Sequence, residues 1–373
     1  MTGALTPRAL VASGAFEWRN DGRLVRFAPG ARHELATHVE RAGFARPLVL
    51  VGRRADTAAL AALLPGAEVV AVGPGRVDEL SAELLPALRG HDVVAIGGGR
   101  VIDCAKAVAA VTGARCAAVP TTLSGAEMTG FHRLPRGHEQ AARGMVRPEL
   151  VVWDPDLLAE APQRLLAESA ANALAHALEA LYTKRASPVA SAAALAGSEL
   201  LATGLRLLGE DGAVERRELH GTLALGALLA GWASGEAGIA FHHALCQTLV
   251  RELGCAHATT NAAVLVASAR HAARAASPAV SAWLEAFLRG AGVRASQAAA
   301  STSEQALAAV AERLAGAGAR PPAELQNLDE RDIVALARTA AAHPAARAAV
   351  FPCDSEALAA VLRDAVRAAR ARG

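Results

Sequence analysis

A chain of 373 residues is long for one hydrophobic core, which makes two domains the expectation. With 53% hydrophobic and 20% charged residues it is a folding chain, and a net charge of +2 with scattered arginines offers no footprint for a nucleic acid or an acidic membrane. The N-terminal apolar stretch is too short and broken for a signal peptide, and no run is expected to reach the ~18 apolar residues of a membrane span. Five dispersed cysteines (Cys104, Cys116, Cys246, Cys255, Cys353) without a CxxC pair read as reduced thiols of a cytoplasmic protein.

In chain order, FEWRNDGRLVRFAPG reads as a small hairpin turning at Asn-Asp-Gly. PLVLVG (Pro47 to Gly52) then predicts a strand, Asp56 to Leu64 a helix, and Ala67 to Gly73 a strand. Val77 to Arg89 predicts a helix and DVVAIGGG (Asp92 to Gly99) a strand running into glycines. A helix from Val101 follows, with CAAVPTT as a further strand. Strands alternating with helices imply parallel pairing through right-handed crossovers, an α/β domain. From about Pro162 onward the pattern is helical, rich in Ala and Leu, with breaks at Pro188, Gly209, Gly254 and Pro321-Pro322. The expected division is residues 1–158, α/β and dinucleotide-binding, and residues 159–373, all-helical.

Gly97, Gly98 and Gly99 stand between a buried-type strand and a helix. Glycines there let a backbone approach a ligand, and a helix N-terminus offers free N–H groups to an anion. A tight turn with no ligand explains three glycines equally well, and the spacing is not G-x-G-x-x-G. Lys106 is one of two lysines in a chain that otherwise uses arginine, the other being Lys184. It is either a local requirement for a compact charge or half of a surface i,i+3 pair with Asp103.

Asn172 and His176 are four apart in AESAANALAHALEALYT and share one helix face. His243 and His257 lie fourteen apart in AFHHALCQTLVRELGCAHATTNA. Neutral imidazole suits zinc or iron, and three of them converging would make an open catalytic site. Each alone reads equally as a hydrogen-bonded core or surface histidine. His242 is ~100° around the helix from His243, so the two face different ways.

The strings GGGRVIDCAKAVAA and VPTTLSGAEMT together resemble the iron-type alcohol dehydrogenase superfamily pattern, GGGS-x-x-D-x-AK followed by PTT and E-x-T, and within it the maleylacetate reductases. The resemblance runs from FAPGA through the second histidine motif. It implies a Rossmann-like, dehydroquinate synthase-like α/β domain, an all-helical second domain, a cleft between them, and a homodimer.

Carried over residue by residue, the resemblance implies a cofactor, NAD or NADP, held by Gly97, Gly98, Gly99, Asp103, Lys106, Thr121 and Thr122. Arg100 replaces the family's serine. It implies metal positions at Asn172, His176, His243 and His257. Asn172 stands where most members carry an anionic ligand, so no metal is expected, with Fe or Zn the alternative. A histidine beside the nicotinamide is Gln247 here, and glutamine cannot shuttle a proton near neutral pH. The tyrosine after PTT is Leu123, and a loop lysine has no counterpart.

The expected activity is therefore hydride transfer to or from a small carbonyl, imine or conjugated alkene, by an enzyme that is maleylacetate reductase-like but does not use maleylacetate. His176, His243, Gln247 and His257 are the catalytic candidates. The alternatives are a repurposed biosynthetic enzyme using bound NAD(P) without net redox, and a cofactor-binding pseudoenzyme. Arg53 and Arg54, where an acidic residue often meets the ribose, favour NADP.

Overall fold

The computed structural model describes residues 14–53, 59–60, 62–209, 216–292 and 303–372. Asp56, Thr57, Ala58 and Ala61 of the helix expected at Asp56 to Leu64, and Arg54, lie outside the described residues; of the rest, Ala59 and Leu60 are helical, whereas Ala62 to Leu64 form a turn rather than helix ahead of Pro65. The chain divides into two compact units. One comprises Met1–Ala161 with Arg216–Ala224, and the other Pro162–Glu215 with Leu225–Gly373. One long helix, Arg216–Ala237, therefore contributes to both, which no sequence signal announced.

The first unit is built on a seven-stranded sheet. A hairpin of β1 (Phe16–Asn20) and β2 (Arg23–Phe27) opens it. Asp21 and Gly22 both sit at positive φ, 51° and 76°, the two left-handed residues that a tight primed turn requires. The helix α1 (Leu35–Arg41) leads to β3 (Leu48–Gly52) and β4 (Glu68–Val72). Then come α2 (Val77–Leu88), β5 (Val93–Gly97), α3 (Gly99–Thr112), β6 (Cys116–Pro120) and β7 (Leu150–Trp153).

The strand order is β1-β2-β7-β6-β5-β3-β4, and every pair except β1–β2 is parallel. Side chains alternate across it. Leu48, Leu50, Val93, Ala95 and Cys116 pack with Leu85, Leu88, Ile102 and Val108 of α2 and α3. Val49, Val51, Val94, Ile96 and Val119 pack with Leu35 and Val39 of α1 on the opposite face. A sheet covered on both faces explains near-continuous apolar strands. The hairpin is not separate from this sheet, because β2 joins β7 in parallel.

The second unit is helical: α4 (Gln163–Ala180), α5 (Pro188–Gly209), α6 (Arg216–Ala237, from Leu225), α7 (Phe241–Leu253), α8 (His257–Ala275), α9 (Pro278–Gly292), α10 (Ser303–Gly316), α11 (Ala323–Gln326), α12 (Glu330–Ala342) and α13 (Ser355–Arg370). Contrary to the sequence expectation, α5 is long and apolar enough by length and composition to cross a membrane. It packs against α4, α9 and α10, as a core helix does. Gly254 ends α7 in the left-handed conformation, φ 74°.

Candidate functional site

In the first unit, the chain goes from β3 outward to β4 and then returns to place β5 on the other side of β3. That reversal is a switch point, where open α/β sheets bind ligands outside the carboxyl ends of their strands. Gly97 closes β5, Gly98 is the N-cap of α3, and no side chain caps that helix. The amides of its first turn are thus presented beside Thr121 and Thr122, which follow β6. The Thr121 amide donates to Gly97 O at 3.1 Å, tying the two strand ends together.

The glycines are closely packed by the protein's own side chains. A Cβ on Gly98 would lie 3.1 Å from Thr122 Cγ2, and one on Gly99 would lie 3.0 Å from Ser124 Cβ. A large residue at Gly98 would therefore displace Thr122 before it reached any ligand. Arg100 and Arg53 are exposed, Arg53 directly after β3.

Lys106 is no surface residue. Its side chain is fully buried, and Nζ donates to the carbonyls of Ala126 and Phe131, each at 2.8 Å, while lying 2.8 Å from Asp103 Oδ1. Two carbonyl acceptors and an ion-paired carboxylate surround the ammonium, which accounts for a lysine. It pins the segment after Thr121 and Thr122 to α3.

The same segment carries Glu127, which sequence reasoning passed over. Glu127 is fully buried and accepts from Trp153 Nε1 at 3.1 Å. Burial pushes its carboxyl up to about 7, against the pull of its backbone and Trp153 hydrogen bonds.

In the second unit, the C-terminal end of α4 and the first turn of α7 are held together. Tyr182 stacks on Phe241 at 5.6 Å, and Thr183 Oγ1 donates to Ala237 O at 2.7 Å. This brings His176 and His243 into edge-to-face contact, ring centroids 4.6 Å apart. Asn172 Nδ2 lies 3.5 Å from His176 Nε2.

A residue missed in the sequence completes the group. Glu179, fully buried, contacts His243 Nδ1 at 2.5 Å and accepts from the His243 amide at 3.2 Å. Its signal was present, since it is an acidic residue three positions after His176 in the largely apolar last turns of that helix, ALAHALEA.

His242 lies against the His243 ring, centroids 5.3 Å apart and edge to face, but its nitrogens are taken up by other partners. Its two nitrogens meet Ser268 Oγ and Asn261 Oδ1, both at 2.9 Å. Gln247 is half-buried on α7, and His257 is exposed at the start of α8. The structure thus brings together Asn172, His176 and His243 in a buried group, while His257 is exposed but acts electrostatically on both of those histidines.

Burial lowers His243 to about 3, with His257 adding to the effect, and lowers His242 to about 4. His176 falls well below the usual range through burial and then the neighbouring His243. Burial raises Glu179, while His242 and the amides of Ala240 and His243 pull it back toward the carboxylate.

The donor set does not fit a metal ion. Among the described residues no three His, Cys, Asp or Glu side chains are grouped to hold one. Asn172 supplies an amide, and Glu179 is engaged by the ring and amide of His243.

Residues 23–155 match the model for iron-containing alcohol dehydrogenase, and residues 166–366 match the model for the C-terminal part of the Fe-containing alcohol dehydrogenase family. Maleylacetate reductase of Pseudomonas knackmussii is 33% identical over 262 residues, 67% of this chain and 73% of that protein. Maleylacetate reductase 1 of Rhodococcus opacus is 40% identical over 163 residues, 43% of this chain and 45% of that protein. The crystal structure of maleylacetate reductase from Agrobacterium tumefaciens superposes with a TM-score of 0.76 at 27% identity, covering 95% of this chain and 99% of that one. Sulfoacetaldehyde reductase from Bifidobacterium kashiwanohense, solved with NAD+, shares the fold at 20% identity and a TM-score of 0.76, covering 95% of this chain and 99% of that one. The chain belongs to the iron-containing alcohol dehydrogenase family, as a dehydrogenase or reductase similar to the maleylacetate reductases.

Proposed function

We propose that the protein catalyses NAD(P)-dependent hydride transfer to or from a small carbonyl, imine or conjugated alkene, without a metal ion, and that maleylacetate is not its substrate. The observation that carries this reading is the uncapped glycine turn at the β3/β5 switch point, flanked by Thr121 and Thr122. The first-turn amides of α3 and the Arg100 guanidinium suit a pyrophosphate. Asp103 and Lys106 act through the segment they pin rather than by direct contact, because the Lys106 ammonium is buried against two carbonyls and the Asp103 carboxylate.

When bound, the nicotinamide supplies or takes the hydride. The helical unit's part is to orient the substrate through His243, with His176, Gln247 and His257 completing the polar set. Rejection of maleylacetate rests on lost polar groups. Leu123 is fully buried, so the position after PTT offers the substrate no hydroxyl, and Gln247 cannot supply a proton.

A cofactor titration combined with a carbonyl and alcohol panel tests the reading. Thr122→Val keeps the shape beside Gly98 and removes a hydroxyl. It is expected to weaken NAD(P)H about 2- to 10-fold, the worth of one hydrogen bond, with unfolding unchanged. Wild-type protein that binds neither NADH nor NADPH would remove the assignment.

A further inference from the structure

We infer that Glu179 is a positioning residue that fixes the tautomer of His243, leaving His243 Nε2 as a hydrogen-bond acceptor for a hydroxyl group of the substrate. The inference deepens the oxidoreductase reading and rests on it. Glu179 grips one residue at two points. Its Oε1 accepts from the His243 backbone amide at 3.2 Å, and its Oε2 lies 2.5 Å from the ring Nδ1. A backbone amide can only donate, so the carboxylate's orientation is set by a group that has no alternative state. A carboxylate can only accept, so the ring proton belongs on Nδ1, and Nε2 carries a lone pair.

That lone pair has no partner within the fold. His243 Nε2 is buried and unbonded, on a residue that is 4% exposed. Leaving a buried acceptor unmade is a cost the fold does not need to carry, and a ligand donor would remove it. His242, next in the chain, shows the contrast, with Ser268 and Asn261 satisfying both of its nitrogens. The two neighbouring imidazoles are thus built for different ends, one closed within the core and one open at a single atom. The carboxylate behind the ring also makes the unpartnered nitrogen a better acceptor. An acceptor at this point selects a ligand presenting an O–H, the alcohol form of a carbonyl/alcohol pair.

Histidine-selective 15N NMR of the whole protein reads the tautomer directly, with the His243 signals identified by their loss in His243→Ala. The expected wild-type pattern is a neutral ring protonated on Nδ1. Glu179→Gln presents an amide N–H to one of the two donors, so it should shift that pattern toward the Nε2-protonated form. It should also lower kcat for alcohol oxidation about 10- to 100-fold, the range for a residue that orients a histidine, with cofactor Kd within twofold.

A wild-type ring protonated on Nε2 would overturn the inference. So would a Glu179→Gln enzyme with unchanged pattern and kcat. The wild-type spectrum decides the tautomer even if Glu179→Gln does not fold. A protein that turns over no substrate with either cofactor would sink the oxidoreductase reading, while the spectrum would still report whether Glu179 sets the ring.

Discussion

At the scale of single residues, two positions in the α/β unit carry separate predictions. Arg53 is exposed immediately after β3, beside the switch point where a dinucleotide's adenosine ribose is expected. A guanidinium there matches a 2′-phosphate and would be replaced by a repelling carboxylate in Arg53→Asp. That variant is expected to weaken NADPH by about 1.5–3 kcal/mol and leave NADH nearly unchanged, as measured by fluorescence titration. Equal losses for both cofactors would disprove an NADP preference at this residue.

Glu127 makes a pH prediction. Its carboxyl stands near 7 in the fold against an ordinary value near 4.5, so the folded state keeps a proton that the unfolded chain releases between them. The stability from this group is full below about 4.5 and is lost as pH rises toward 7. Glu127→Gln has no proton to lose and keeps an oxygen for Trp153 Nε1. Urea unfolding should show the variant gaining on wild type from pH 5 to pH 8, by up to about 3 kcal/mol. Parallel curves across that range would refute the buried-acid account.

Among the elements, helix crossings in the second unit depend on small residues as much as on large ones. Gly197 of α5 and Gly226 of α6 let the two backbones touch. A Cβ on Gly197 would lie 2.9 Å from Gly226 O and 3.0 Å from Ala230 N, atoms that cannot rotate away. Helix propensity alone favours alanine by about 1 kcal/mol. Overlap with backbone outweighs it, so Gly197→Ala should destabilise the protein by about 1–3 kcal/mol in chemical denaturation. A stabilised variant would mean that the helices separate easily. The same logic explains how a chain with only 3% aromatic residues fills its core: alanine-rich helices pack closely, and the aromatics gather where Tyr182, Phe241 and Phe351 hold α4 to α7.

For the whole molecule, the family name and the donor set point in different directions. An iron or zinc site needs anionic or several imidazole ligands around one point. This chain offers an amide at Asn172, and its Glu179 carboxylate is turned onto His243. Purified protein is expected to carry well under one iron or zinc per chain by elemental analysis and to retain its activity in chelator. Stoichiometric metal, with activity lost on stripping and restored by the ion, would show that the histidines suffice.

The sequence by itself determined what depends on local chemistry and short spacing. Short apolar runs ending in glycines, the Asn-Asp-Gly turn, and histidines on helical faces were legible because each reports on its near neighbours. The family followed from two strings long enough to be specific. What remained hidden depends on residues distant in the chain.

Only the tertiary structure showed β7 joining the hairpin to the sheet, since a four-residue strand has no period of its own. It placed Lys106 in the core, because a spacing of three from Asp103 looks the same whether the lysine faces water or the carbonyls of Ala126 and Phe131. It joined Glu179 to His243 across 64 positions of chain, a contact created by the stacking of Tyr182 on Phe241. Burial then separated two adjacent histidines into a closed one and an open one, because a side chain's partners are set by the elements packed against it, which no local pattern encodes.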